Sequence, residues 1–413
     1  ITFFWYRLVP HTEQALLSMT IFFSILSAVV MGIIGRKLRG ERFGLFAFMF
    51  SICSSTIMYG AAYELRTYSL LLLAVTVNMY FYLARLEDES WKNIILYGIT
   101  MCLLPYTHYI SVLLCFGYFI ADCILILKKR AGIKVILSYI LGALLFLPWL
   151  VMIFSQIERF SSFWPSTPSF IDLVKTAVLW TTGSKSFYSI FVCLAVLGIM
   201  GITQRMYMYS MEKKPFAPEM NFMGSSCFAA TFMFLSAYIY SRYINPSGSF
   251  FVGHYFFPTV PFALLSITYG ADAVYRQISC TNRQKAILLF SLMFAFMFFL
   301  ESCRAAKNDT FQPFRETADF IYSDWQKNTE NKSVILLTES MFVYEGWNEF
   351  YLTADHTRES LPGISITDSD TLDELRSGNY DKIYLSYLHK HLKQSISPEL
   401  MNWLKENYNF SGQ

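Results

Sequence analysis

Apolar runs close to the ~20 residues that a membrane helix needs recur along the first three hundred positions of this chain. They are Ala15 to Gly35, 43 to 62, 67 to 84, Val135 to Phe154, Phe187 to Thr203, Phe222 to Tyr240, Phe256 to Tyr275 and Ala286 to Ser302. Inside lipid every backbone N–H and C=O must be satisfied by the chain itself, so such runs can only be helices. Composition agrees, with 54% hydrophobic and 15% charged residues, where a soluble domain carries about a quarter charged. One further run, Ile94 to Leu127, is too long for a single span and short for two full ones. Pro105 and the polar Thr107-His108-Tyr109 interrupt it, predicting two short helices joined by a tight turn at His108. The expectation is an all-α polytopic membrane protein with about ten transmembrane helices in residues 1–303.

Charge on alternate loops predicts the topology. One set carries Arg36, Lys37, Arg39 and Arg42; Arg85 and Lys92; Lys128, Lys129, Arg130 and Lys134; Arg205, Lys213 and Lys214; and Arg276, Arg283 and Lys285. The opposite set has only Arg66, Arg159, Lys175, Lys185 and Arg242. The positive-inside rule makes the first set cytoplasmic. The net charge of +3 therefore reflects short basic clusters beside apolar segments, and nucleic acid is not an expected partner. The cysteines lie almost all within apolar runs without paired spacing, which indicates neither a disulfide framework nor a zinc site.

After about Cys303 charged residues become frequent and long apolar runs stop. Ser333 to Leu337 and Lys382 to Leu385 read as strands, and Phe314 to Gln326, 371–377 and 398–408 as helices. Residues 304–413 are thus expected to form a small soluble α/β domain on the extracytoplasmic side. Within the loop at 155–186, Ser169 and Asp172 have the spacing of a capping box ahead of Phe170, Ile171, Val174, Ala177 and Val178 at helical intervals. That pattern suits a helix lying in the membrane interface. The chain opens on Ile1 inside an apolar, aromatic stretch, and the expectation is a fragment whose first span and first outer loop lie upstream.

The candidates for chemistry gather on the side opposite the basic loops. Tyr63-Glu64-Leu65-Arg66-Thr67-Tyr68 sets two ionisable residues between two apolar runs. Glu64 and Arg66 read either as an interfacial ion pair with Arg66 reaching to headgroups, or as an outward-facing site that handles an anion. In the second reading Glu64 holds a metal ion or positions a hydroxyl, and Arg66 meets phosphate. His108 can hydrogen-bond a helix end or join that site, and the topology brings Arg242, Tyr243, His254 and Tyr255 to the same face. An ion-coupled transporter usually needs charge near mid-membrane, whereas an enzyme working on a lipid headgroup needs it at one surface.

Tyr63 to Leu72 resembles the E-x-R-x-Y-(S/A)-L-L-L segment of bacterial GT-C membrane glycosyltransferases, relatives of protein O-mannosyltransferases and of the aminoarabinose transferase of lipid A. Thr107-His108-Tyr109 is similar to that family's T-H-Y turn, and Leu147-Pro148-Trp149 to its L-P-W. His254-Tyr255 with Pro258 and Pro261 is similar to the R-Y-x-x-P-x-x-P at the start of a late span, with His254 in place of the arginine. The resemblance implies transfer of a sugar from a polyprenyl-phosphate donor to a lipid, glycan or protein acceptor, on the outer side of the bacterial cytoplasmic (inner) membrane. It implies Glu64 as an acidic site residue and metal ligand, with a divalent cation the cofactor to expect and no nucleotide cofactor. Tyr63, Arg66, Tyr68, His108, Tyr109, Arg242, His254 and Tyr255 would then contact substrate. The family's main catalytic Asp would precede Ile1, so this stretch alone is expected to lack the principal base. The competing class is a non-catalytic or flippase-like protein of envelope polysaccharide export.

Overall fold

The computed structural model describes residues 5, 7–9, 13–54, 66–157, 167–182, 188–211, 217–246, 249–307, 321, 323–324, 334–338, 363–365, 371–378, 380–385 and 398–408. The chain divides into two compact units, Ile1–Ala305 and Ala306–Gln413.

The first unit is helical. Its helices are α1 (Glu13–Arg39), α2 (Glu41–Ile52), α3 (Tyr68–Glu87), α4 (Trp91–Thr107), α5 (Ser111–Leu127), α6 (Ile136–Ile157), α7 (Phe170–Thr182), α8 (Tyr188–Met211), α9 (Pro218–Ile239), α10 (Val260–Thr281) and α11 (Arg283–Lys307). A π-turn, Tyr240–Ile244, prolongs α9, and a 3-10 segment, Gly253–Thr259, leads into α10. Among the described residues six helices are long and apolar enough to cross a membrane, and Ser111–Leu127 is a shorter apolar helix. The protein is therefore a polytopic α-helical membrane protein. Large apolar side chains such as Leu144 and Leu145 on α6, and Leu288, Leu292 and Phe299 on α11, face outward. In a water-soluble bundle such surface would be a liability, whereas lipid accepts it.

The His108 hairpin forms where the sequence predicts it. Pro105 sits in the last turn of α4, whose chain leaves the helix as extended backbone at His108. The Ser111 N–H then bonds the His108 carbonyl at 3.0 Å as α5 begins. The predicted interfacial helix is α7, and its cap is reciprocal: Ser169 N–H donates to Asp172 Oδ2 at 2.8 Å and Asp172 N–H to Ser169 Oγ at 3.2 Å. These bonds hold the Asp172 carboxyl below the usual carboxylate range. Phe170, Ile171 and Val174 are exposed while Leu173 and Ala177 pack on the core, so α7 is apolar on both the bundle side and the free side. An interfacial helix needs such a free apolar face.

Without a hydrophobic force between helices in lipid, close contact relies on small residues. At the crossing of α8 and α10 a methyl group at Gly198 would collide with the Ser266 carbonyl, and one at Gly270 with the Leu194 carbonyl. Backbone thus lies on backbone there.

Among the described residues two carboxylates are buried completely, and arginines hold both. Asp122 on α5 pairs with Arg85 on α3 at 2.8 Å and accepts hydroxyl bonds from Tyr82 and Tyr139. Arg85 itself has no exposed surface and stacks over the rings of Tyr82 and Tyr97 at 4.7 and 5.0 Å. This corrects its expected place among the loop charges: it belongs to the last turn of α3 and turns inward. Asp272 on α10 meets Arg39, Arg42 and Arg276 at 3.2, 2.8 and 2.9 Å.

In the second unit β1 (Val334–Thr338), β2 (Gly363–Ser365) and β3 (Lys382–Leu385) form a parallel sheet in the order β2-β1-β3. Helix α12 (Thr371–Gly378) joins β2 to β3, and α13 (Pro398–Asn407) follows. Leu375, Leu400 and Leu404 make a small core with Ile383 and Trp403 around it. Tyr384 OH donates to Asp324 at 2.6 Å, and that carboxylate beside it, after burial, pushes the phenol upward. Most of the helix expected at Phe314 to Gln326 lies outside the described residues; β2 has no counterpart in the sequence reading.

Candidate functional site

The end of the bundle that carries the His108 turn collects aromatic and imidazole rings from three separate pieces of chain. Tyr68 opens α3 and is buried. Its ring lies 5.9 Å from His108, 5.4 Å from His254 and 5.0 Å from Phe257, centroid to centroid. Tyr255 closes the group at 4.9 Å from His108 and 5.0 Å from His254. Local structure makes this possible. Residues His254 and Tyr255 sit in the 3-10 segment before α10, where Pro258 tightens the turn, and His108 leaves α4 in extended backbone.

Arg66 stands close enough for its charge to act on both His254 and Tyr255. Burial depresses the His108 imidazole to about 4. Burial, then the Arg66 guanidinium, then His108, depress His254 to about 4 as well. Burial raises the Tyr255 phenol while Arg66 opposes it. At neutral pH both imidazoles are uncharged, and Arg66 supplies the positive charge.

Four buried polar atoms toward this end have no hydrogen-bond partner among the described residues: His108 Nδ1, Ser69 Oγ, Ser111 Oγ and Nε1 of Trp149, whose indole packs on Tyr106 at 5.3 Å. Ser69 follows Tyr68 at the start of α3, and Ser111 opens α5 three residues after His108. Orphaned buried groups are uncommon and costly, by ~1–3 kcal/mol each, so their presence in one region argues for a polar occupant. The two serines and Phe257 extend the set read from sequence. Their signal was faint, a small polar residue at a helix start and an aromatic two positions beyond Tyr255.

The other sequence candidates separate. Tyr109 is exposed at the turn. Arg242, on the π-turn after α9, is exposed. Tyr63 and Glu64 lie outside the described residues. No group of three His, Cys, Asp or Glu side chains is placed to hold a metal ion among the described residues. Two imidazoles do not by themselves make a hard-cation site, and Glu64, the carboxylate that the sequence offers as a metal ligand, lies outside the described residues.

The opposite end of α3 offers a contrast. Arg85 lies 17 positions beyond Tyr68, or about 26 Å along the axis, and Asp122 is saturated by one arginine and two tyrosines. A carboxylate so fully engaged is suited to locking helices and unsuited to passing protons. No family model and no curated protein matches this chain.

Proposed function

We propose that this protein is an integral membrane glycosyltransferase of the GT-C type, moving a sugar from a polyprenyl-phosphate donor to an envelope acceptor at the non-cytoplasmic face of a bacterial inner membrane. The observation that carries the reading is the Tyr68 ring packed against His108, His254 and Phe257, with Arg66 beside it. Those residues come from three of the four motifs on which the family resemblance rests. Their meeting is what a site for a phosphorylated lipid requires. Arg66 provides a fixed positive charge for the departing phosphate, and neutral imidazoles can donate to its oxygens.

In the reaction the acceptor oxygen bonds to the anomeric carbon as the bond from that carbon to the phosphate oxygen breaks. The electron pair leaves on the polyprenyl phosphate, and the acceptor proton passes to a carboxylate. Glu64, two residues before Arg66, is our candidate for the acidic group that orients the acceptor. The aromatic floor of Tyr68, Tyr255 and Phe257 suits the apolar face of a pyranose. In this reading the shorter apolar helices complete an arrangement of about ten spans, and the second unit is an extracytoplasmic α/β domain.

The buried ionic groups support an enzyme over an exporter. Asp122 is paired with Arg85 and Asp272 with Arg39, Arg42 and Arg276, so neither of these buried carboxylates is left as a free charge inside the bundle. The test is binding and transfer together. Purified full chain should bind polyprenyl phosphate, and Arg66→Ala should weaken that binding by tenfold or more. Glu64→Gln should abolish transfer of labelled sugar by membranes containing the protein, with donor binding retained. Donor binding indifferent to Arg66→Ala would refute the assignment.

A further inference from the structure

Away from that site, the arginine-rich end of the first unit joins an excess of positive charge to an apolar groove. Arg39, Arg42, Arg205 and Arg276 surround the carboxylates of Asp272 and Glu219, leaving two positive charges in surplus. The side chains of Arg42, Arg205 and Arg276 remain 40%, 45% and 50% exposed. Arg42 spends Nε and Nη2 on Asp272, and its Nη1 has no partner among the described residues. The neighbouring Arg36 and Glu41 pair with each other at 2.7 Å and add no net charge.

Arg42 also forms the rim of a groove of about 450 Å³ between α2, α10 and α11. Its walls are apolar stripes at helical spacing, Phe46 and Met49 on α2 facing Ile287, Phe290, Phe294 and Phe298 on α11. From Ile287 to Phe298 the α11 stripe runs about 16 Å. Both helices start at the arginine end, at Glu41 and Arg283, so the groove descends from the guanidinium into the apolar part of the bundle.

We infer that this groove holds one acyl chain of an anionic glycerophospholipid whose phosphate lies against Arg42. Charge complementarity selects the headgroup: Arg42 lines the groove and belongs to a cluster with guanidinium in surplus, which favours a net negative lipid over a zwitterionic one. The lining selects the tail: Phe46, Met49, Phe290, Phe294 and Phe298 offer an almost wholly apolar surface, which an acyl chain covers without desolvating a polar group. By the positive-inside rule this end faces the cytoplasmic leaflet, on the side opposite the proposed transfer site. The lipid would brace α2 against α11 and stand apart from the sugar donor.

The test uses the full chain in detergent, exchanged against an equimolar mixture of phosphatidylglycerol and phosphatidylcholine, with retained lipid read by native mass spectrometry. Wild type should keep phosphatidylglycerol preferentially. Arg42→Gln should lower that preference roughly fivefold, the value of one cationic side chain near the headgroups, and Arg42→Lys should preserve it. Ser291→Trp, which fills the groove without changing charge, should release the bound lipid. Equal retention of the two lipids by wild type would overturn the inference. So would phosphatidylglycerol retention untouched by Ser291→Trp, or a photo-crosslinker at position 291 that captures a protein segment in place of lipid.

Discussion

Arg85 and Asp122 meet at 2.8 Å across α3 and α5, and neither side chain reaches the surface. The guanidinium also has Nε and Nη1 without hydrogen-bond partners among the described residues, turned among the rings of Tyr82 and Tyr97. Coulomb attraction and two cation–π contacts therefore offset a large desolvation cost. Removing one charge leaves the other buried alone. Asp122→Asn should cost about 3–5 kcal/mol, seen as a lower midpoint for thermal unfolding in detergent. The double variant Arg85→Met with Asp122→Leu should lie much nearer wild type, and a double variant as unstable as the single one would contradict this account.

Close helix contact gives a second prediction. Gly198→Ala should force α8 and α10 apart, because the new methyl meets the Ser266 carbonyl with no side chain to yield. The loss should be about 1–3 kcal/mol or more. Gly201 lies one turn along the same helix with open space around it. Gly201→Ala should be neutral or stabilising by up to ~1 kcal/mol, as expected for alanine over glycine in a helix. Measuring both variants separates packing from propensity.

These residues also mark what could be read in the sequence. The hairpin at His108 was legible because Pro105 and a polar tripeptide interrupt an apolar run, which is local information. The α7 cap was legible for the same reason. The spacing of Ser169 and Asp172 spells out the bonds that form. Arg85 was misplaced because counting loop charge ignores where a side chain turns, and only the tertiary position of Asp122 decides that. The start of α10 was set four residues early, since Phe256 to Thr259 continue the apolar pattern while Pro258 imposes a tighter 3-10 turn. Strand β2 has three residues, too few for any periodicity. The nearness of Tyr68, His108 and His254 followed from topology, but the orphaned hydroxyls of Ser69 and Ser111 needed coordinates.

Tyr68 is the hub of the proposed site, and its two ends can be tested apart. Tyr68→Phe keeps the stacking on Phe257 and should leave the fold intact, so any loss of donor binding belongs to the hydroxyl. Tyr68→Ala removes a buried ring from among His108, His254 and Phe257 and should destabilise the protein by about 3–5 kcal/mol. Thermal unfolding and polyprenyl-phosphate binding measured on the same preparations distinguish the two outcomes. Equal stability of the alanine and phenylalanine variants would mean that the ring cluster does not hold these segments together.

Acid should act on the site in opposite directions depending on whether an anion is bound. His108 and His254 titrate near 4 in the folded protein and near 6.5 when exposed, with burial as the main cause in both. Below pH 6.5 the unfolded chain takes up protons that the folded chain refuses, so stability falls as pH drops from 6.5 to 4 and levels off beneath. Both rings are only partly buried, which reduces the loss below its full linkage value. Replacing both by asparagine should flatten that slope in a plot of unfolding midpoint against pH. A bound phosphate reverses the sign locally, since an adjacent anion favours the imidazolium. Affinity for polyprenyl phosphate should therefore rise as pH falls from 7 to 5 in wild type and stay level in the double variant. Affinity that is flat in wild type over that range would place the phosphate away from both imidazoles.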